Sequence, residues 1–101
     1  MIKTAGINVS PAEIEATLRA YPGVLEAAVV GMPDAARGEV PVAFLVTTEP
    51  VDEADVVRHC REVLSSYKVP KRVRRIEALP QTPTGKLSRK SLLAMASGGQ
   101  P

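Results

Sequence analysis

Val24-Leu25-Glu26-Ala27-Ala28-Val29-Val30-Gly31-Met32-Pro33-Asp34-Ala35-Ala36-Arg37-Gly38-Glu39-Val40-Pro41-Val42-Ala43-Phe44-Leu45-Val46-Thr47 is the stretch that decides the fold. Val24 to Val30 is nearly all apolar and ends at the turn residues Gly31-Met32-Pro33-Asp34. Arg37-Gly38-Glu39 then leads into Val40 to Thr47, where Pro41 marks a strand's start or an edge. Two such runs joined by a polar loop predict a buried β-pair. Upstream, Ser10-Pro11-Ala12-Glu13 reads as a helix start: Ser10 the N-cap, Pro11 the first helical position, Glu13 completing a capping box. Val9 and Ile14 are placed to form the accompanying hydrophobic staple. Ile14, Leu18 and Tyr21 share a face, and Tyr21-Pro22-Gly23 stops the helix.

Downstream, the spacing predicts a second helix from about Asp52 to Ser66, capped by Asp52, with Val56, Val57, Cys60, Val63 and Leu64 as its apolar stripe. Tyr67-Lys68-Val69-Pro70 breaks it. Val73 to Leu79 alternates as a third strand, and Ser88 caps a last helix bearing Leu92, Leu93 and Met95. The opening Met1 to Val9 reads as two short extended pieces around Gly6. The whole is an α+β domain: a small mixed sheet of about three strands plus a short N-terminal β-hairpin, with three helices packed against it. Residues 97–101 read as a flexible tail.

At 101 residues, 45% hydrophobic and 24% charged, the chain is one ordinary globular domain with a modest core. Its longest apolar runs, such as Val42 to Val46, are far too short to span a membrane, and no signal segment precedes them. A cytoplasmic setting is the expectation. One cysteine, Cys60, excludes an internal disulfide. One histidine, His59, excludes histidine-based metal sites and most triads, and no metal ligand set is assigned. Both read as ordinary helix residues, Cys60 facing the core. The net charge of +2 hides a polarity: residues 1–67 hold five Lys/Arg against ten Asp/Glu, and residues 68–101 hold eight against Glu77 alone. That basic third points to an anion. No aromatic residue falls between Lys68 and Lys90 to stack on bases, so phosphates of a nucleotide or of coenzyme A fit better than a nucleic acid.

Chemistry concentrates at Leu79-Pro80-Gln81-Thr82-Pro83-Thr84-Gly85-Lys86-Leu87-Ser88-Arg89-Lys90. Two prolines and a glycine stiffen an exposed loop that presents one cation, Lys86. The alternative is a solvated turn before a terminal helix. Gly85-Lys86 is not a nucleotide-binding P-loop: Pro80 stands where that motif needs glycine, and Leu87 where it needs Ser or Thr.

Four segments in register resemble one family. Ile2-Lys3-Thr4-Ala5-Gly6-Ile7-Asn8-Val9-Ser10-Pro11-Ala12-Glu13-Ile14-Glu15 resembles the thiolation loop and following helix of adenylate-forming enzymes. Gly31-Met32-Pro33-Asp34 with Gly38-Glu39-Val40-Pro41-Val42-Ala43-Phe44 is similar to that domain's central strands. Tyr67-Lys68-Val69-Pro70 and Leu79 to Lys86 are similar to its closing segments. The chain thus resembles the small C-terminal lid domain of an AMP-forming acyl-CoA synthetase over almost all of residues 1–93, which implies a lid domain at residues 1–96. The resemblance implies a two-step reaction: a carboxylate and ATP give an acyl-adenylate and pyrophosphate, then coenzyme A takes the acyl group and AMP leaves. Lys86 matches the adenylation lysine, beside the α-phosphate. Ala5, Gly6 and Ile7 match the loop lining the pantetheine tunnel, although a plain hairpin glycine also accounts for Gly6. Lys3 matches a lysine near the adenylate in the second step. Lys68, Lys71, Arg72, Arg74 and Arg75 face either coenzyme A phosphates or solvent.

The family's N-terminal adenylation core, through which Mg2+ acts, is absent from the chain, so the isolated chain is expected to be inactive and to hold neither ATP nor coenzyme A stably. That core is the implied partner. The chain is either an excised domain or a naturally separate piece. Two alternatives stand beside the ligase lid: the lid of a peptide-synthetase adenylation domain, and a stand-alone module whose Lys86 is a substrate for a protein lysine acetyltransferase and its deacetylase.

Overall fold

A computed structural model describes residues 1–96; the tail expected at 97–101 lies outside the described residues. The strands are β1 (Ile2–Thr4), β2 (Ile7–Val9), β3 (Val24–Asp34), β4 (Gly38–Thr47) and β5 (Arg72–Arg75), and the helices α1 (Pro11–Arg19), α2 (Glu53–Val63) and α3 (Arg89–Ala96). They form one five-stranded sheet with three helices, in the mixed architecture expected. β3 and β4 pair antiparallel along nearly their whole length, β5 runs parallel to β4, and the β1–β2 hairpin joins through Thr4 opposite Gly38.

Alternate residues of the central pair point to opposite faces, and both faces are covered. Ala27, Val29, Ala43, Leu45 and Val73 pack against Ile14 and Leu18 of α1 and Val56 and Cys60 of α2. Ala28, Val30, Val42 and Phe44 pack against Leu92 of α3. Two covered faces explain why Val24 to Val30 reads as a continuous apolar run, since a half-solvated strand would alternate. Leu92 is fully buried, and burial of a leucine contributes roughly 1.5–3 kcal/mol, which fastens a helix of only eight residues.

Several local expectations change under tertiary contact. Ser10 occupies the N-cap with extended backbone, but its hydroxyl makes no capping bond. The capping box does not form, because the Glu13 carboxylate pairs with Lys68 at 3.0 Å. Val9 and Ile14 are both fully buried, as the staple requires. Asp52 does cap α2, accepting from the Ala54 N–H at 3.0 Å. That helix ends at Val63 rather than Ser66: Leu64 turns extended and enters the core, which leaves Val63 62% exposed instead of on the apolar stripe. β3 runs on through Gly31-Met32-Pro33 to Asp34, with Pro33 on the sheet's outer strand. Pro41 marks neither a start nor an edge: it lies inside central β4, between Gly38, which meets β1, and Val42, where pairing with β5 begins. The third strand is short, Arg72–Arg75: the Ile76 N–H makes the last bond to β4, to the Leu45 carbonyl at 2.8 Å, and the Ile76 and Leu79 side chains pack on the α3 face.

Candidate functional site

Two turns carry the residues singled out from sequence. In the first, Ala5 and Gly6 link β1 to β2 and both have positive φ, 50° and 81°. That is the signature of a type I′ hairpin turn, which glycine accepts freely and alanine only at a cost. The Ala5 N–H donates to the Arg37 carbonyl at 2.7 Å and holds the turn against the loop before β4. A Cβ built on Gly6 would meet nothing within 4 Å. Its φ is therefore reason enough for a glycine, as the hairpin alternative requires, and the space above it is open. Ala5, Gly6 and Ile7 are all exposed. Lys3 sits opposite Asn8; its backbone N–H donates to Glu39 Oε1 at 3.0 Å, while its side chain is exposed.

The second turn is Thr82-Pro83-Thr84-Gly85. The Gly85 N–H donates to the Thr82 carbonyl at 2.9 Å, and the Thr82 N–H to the Lys86 carbonyl at 2.7 Å. Gly85 has a φ of 87°, so the turn closes with a glycine bulge. Gln81 pairs with Leu87, the Ser88 N–H donates to the Pro80 carbonyl at 2.8 Å, and Thr82 Oγ1 accepts the Lys86 N–H at 3.2 Å. The Lys86 backbone is thus pinned while its side chain is exposed and makes no hydrogen bond or ion pair among the described residues. As expected, Ser88 caps α3, its Oγ accepting from the Ser91 N–H at 3.2 Å.

The two turns are backed by different cores. Ile2 and Val9 of the hairpin join the core on the α1–α2 face, whereas Leu79 and Leu87 of the lysine loop join the core on the α3 face. No hydrogen bond or ion pair among the described residues connects them.

The basic C-terminal third is mostly fastened to the fold. Lys68 pairs with Glu13, and Arg72 pairs with Glu53 at 3.0 Å. Arg74 donates to the Met95 carbonyl at 2.8 Å and lies over the Phe44 ring, and Arg75 Nε donates to Thr47 Oγ1 at 2.5 Å. Lys71 alone of the five basic residues considered has no such side-chain partner among the described residues. It lines a groove of about 580 Å3 with Arg37, Arg61, Thr4 and Tyr67, beside the Ala5-Gly6 turn. Arg37 and Arg61 are exposed, and their side chains likewise lack partners among the described residues. Sequence reading missed this groove because its cations come from three distant segments.

A polar cluster at the end of α1 was also missed. The Tyr21 hydroxyl donates to Asp55, and Arg58 bridges Asp55 and Glu62. That hydrogen bond pushes the Tyr21 hydroxyl up and holds Asp55 below the usual carboxylate range. His59 Nε2 lies 3.0 Å from the Thr17 carbonyl, with its ring edge-on to Tyr21. These groups tie α1 to α2. Cys60 is fully buried, and desolvation pushes its thiol up to about 11, so it is no nucleophile. Among the described residues no group of three carboxylate, imidazole or thiol side chains could hold a metal ion, and no helix is long and apolar enough to cross a membrane.

Residues 13–86 match the family described as the AMP-binding enzyme C-terminal domain. Over 92 residues the chain is 45% identical to a 2-succinylbenzoate–CoA ligase of Listeria monocytogenes, covering 91% of this chain and 20% of that protein. It is 42% identical over 98 residues to a peroxisomal trans-cinnamate:CoA ligase of Petunia hybrida, covering 95% and 17%. The structure of a Mycobacterium tuberculosis fatty acyl CoA synthetase superposes with a TM-score of 0.85 at 43% identity, covering 93% of this chain and 19% of that one. The chain therefore spans about a fifth of the length of the relatives it matches.

Proposed function

The chain belongs to the AMP-binding enzyme C-terminal domain family, and from that premise we propose that it is the mobile C-terminal domain of an AMP-forming acyl-CoA ligase. One observation carries the reading: the domain offers a pinned, partnerless lysine on one turn and an open glycine on another, backed by opposite cores. Two half-reactions need two such faces.

In the first half-reaction a carboxylate oxygen attacks the α-phosphorus of ATP and pyrophosphate leaves. Negative charge grows on the α-phosphate oxygens, and Lys86 supplies a preorganised ammonium for it. The bulged turn holds the lysine backbone through both Thr82 bonds, so little order remains to be gained during the reaction. In the second half-reaction the thiol sulfur attacks the acyl carbonyl and AMP leaves. The space over Gly6 admits the pantetheine arm between Ala5 and Ile7, and Lys3 stands on the adjoining strand toward the adenylate. Arg37, Arg61 and Lys71 line the neighbouring groove and meet the phosphates of coenzyme A. The partner is an N-terminal adenylation core, which binds the acid, ATP and Mg2+. The described residues bring no ligand set together for a metal. The relatives' names carry 2-succinylbenzoate, trans-cinnamate and fatty acyl groups, so a domain shared among them does not choose the acid.

The test is made in the full-length ligase carrying this chain. Lys86→Ala should lower ATP–pyrophosphate exchange roughly 10²–10³-fold, with thioester formation from supplied acyl-adenylate kept. Unchanged exchange would exclude the assignment of Lys86. The exposure of Lys86 also opens it to a protein lysine acetyltransferase, and acetylation would remove the charge adenylation needs. Peptide mapping after such treatment should place the label at Lys86, and label mainly elsewhere would sink that second reading.

A further inference from the structure

One ion pair stands between the Lys86 loop and the sheet. Glu15 of α1 is the one charged side chain buried among the described residues, at 9% exposure. A buried charge is costly unless paired and hydrogen-bonded. Glu15 Oε2 accepts the Val29 N–H at 2.9 Å and lies 3.5 Å from Arg89 Nη1. The same Nη1 donates to the Val29 carbonyl at 2.7 Å. Val29 belongs to β3, an edge strand, so two side chains from two helices satisfy one residue's outward backbone groups.

Arg89 also breaks a local rule. α3 opens with Arg89-Lys90 and has no acidic residue in its first turn, although a helix N-terminus favours anions. Such a violation points to a tertiary or functional reason. Here Arg89 follows Lys86 by three residues. Leu87 packs on the α3-side core and Ser88 is bonded to Pro80, so the chain from lysine to arginine is held throughout.

We infer that the Glu15–Arg89 pair is a positioning device for Lys86, clamping the start of α3 to β3 and so setting where the lysine ammonium stands during adenylation. The inference rests on the adenylation role proposed for Lys86. Arg89 and Glu15 touch neither substrate nor reacting atoms. The Thr82 bonds restrain Lys86 from its N-terminal side, and the clamp restrains it from the C-terminal side. Without the clamp the lysine shifts, and a displacement of about 1 Å costs up to about 10²-fold in rate.

The experiment uses the full-length ligase and measures both half-reactions and thermal stability for Arg89→Ala, Arg89→Lys and Glu15→Gln. Arg89→Ala should lower the adenylation kcat about 10–100-fold, leave the KM for ATP within about threefold, and leave thioester formation from supplied acyl-adenylate within about twofold. Arg89→Lys, which keeps the charge, should recover part of the loss. In a Lys86→Ala background Arg89→Ala should cost nothing further, because residues acting as one unit are non-additive. Equal loss in both half-reactions, or a fully additive loss on Lys86→Ala, makes the pair structural only and overturns the inference; so does adenylation unchanged by Arg89→Ala. If Arg89→Ala does not fold, the near-isosteric Glu15→Gln is judged by the same criteria. Full adenylation by Lys86→Ala would instead sink the assignment beneath the inference, and the inference with it.

Discussion

The Ala5-Gly6 turn and the Thr82-to-Gly85 turn both reverse the chain with a glycine at positive φ, yet they offer different things to solvent. The first is a tight two-residue link whose exposed surface is backbone and small side chains, beside a groove lined by Arg37, Arg61 and Lys71. The second is bulged and uses its extra residue to place one long cationic side chain on a braced strand end. A turn that must admit a thiol arm benefits from missing atoms, whereas one that must stabilise growing charge benefits from a fixed one. The proposed division of labour follows from that difference in chemistry.

The sharpest way to break the comparison is to exchange the deficits between the turns. Lys86→Ala should cost adenylation roughly 10²–10³-fold and spare thiolation. Gly6→Val should do the reverse, lowering thioester formation from supplied acyl-adenylate by about 10–100-fold while adenylation holds. A shared loss in both variants would show that the turns form one site. Charge reversal sharpens the first turn's role: Arg61→Glu or Lys71→Glu should raise the KM for coenzyme A about fivefold, the size of one exposed ion pair, with the KM for ATP unmoved. Added salt should shrink that difference.

The smallest effects belong to the scaffold between the turns, which should be chemically inert. Cys60 should resist thiol reagents in the native protein at pH 8 and react once it unfolds. Burial raises its thiol from 9.0 to about 11, so the native state keeps a proton that the unfolded chain loses. Stability is therefore whole below pH 9 and falls as pH rises toward 11, and the raised Tyr21 hydroxyl acts in the same direction. On the acid side, Asp55 is held below its usual range, so its contribution disappears as pH falls through that lowered value. Melting curves across both windows check the signs.

The resemblance carried by the four segments agrees with the family match, and the fold class, hairpin and helix order were legible for local reasons. Asp52 and Ser88 make their capping bonds within three residues, and the unbroken apolar runs of β3 and β4 are what strands covered on both faces require. Expectations failed where a distant charge intervened. Ser10 and Glu13 have the spacing of a capping box, but Lys68, 55 residues from Glu13, takes its carboxylate. The basic run from Lys68 to Arg75 resembles an anion-binding strip, yet Glu13, Glu53, Thr47 and the Met95 carbonyl absorb most of it.

Turn chemistry, caps and strand periodicity act over a few residues, so reading along the chain was enough to locate Lys86 and Gly6 on their loops. Packing alone decided that the two loops are backed by different cores, that Arg37, Arg61 and Lys71 share a groove, and that Glu15 reaches Arg89 across Val29. The groove draws its cations from residues 37 to 71 and the ion pair joins residues 15 and 89, and such pairings exist only once the sheet has brought the segments together. Electrostatic partnership depends on distance in space, and the order of residues along a chain does not encode it.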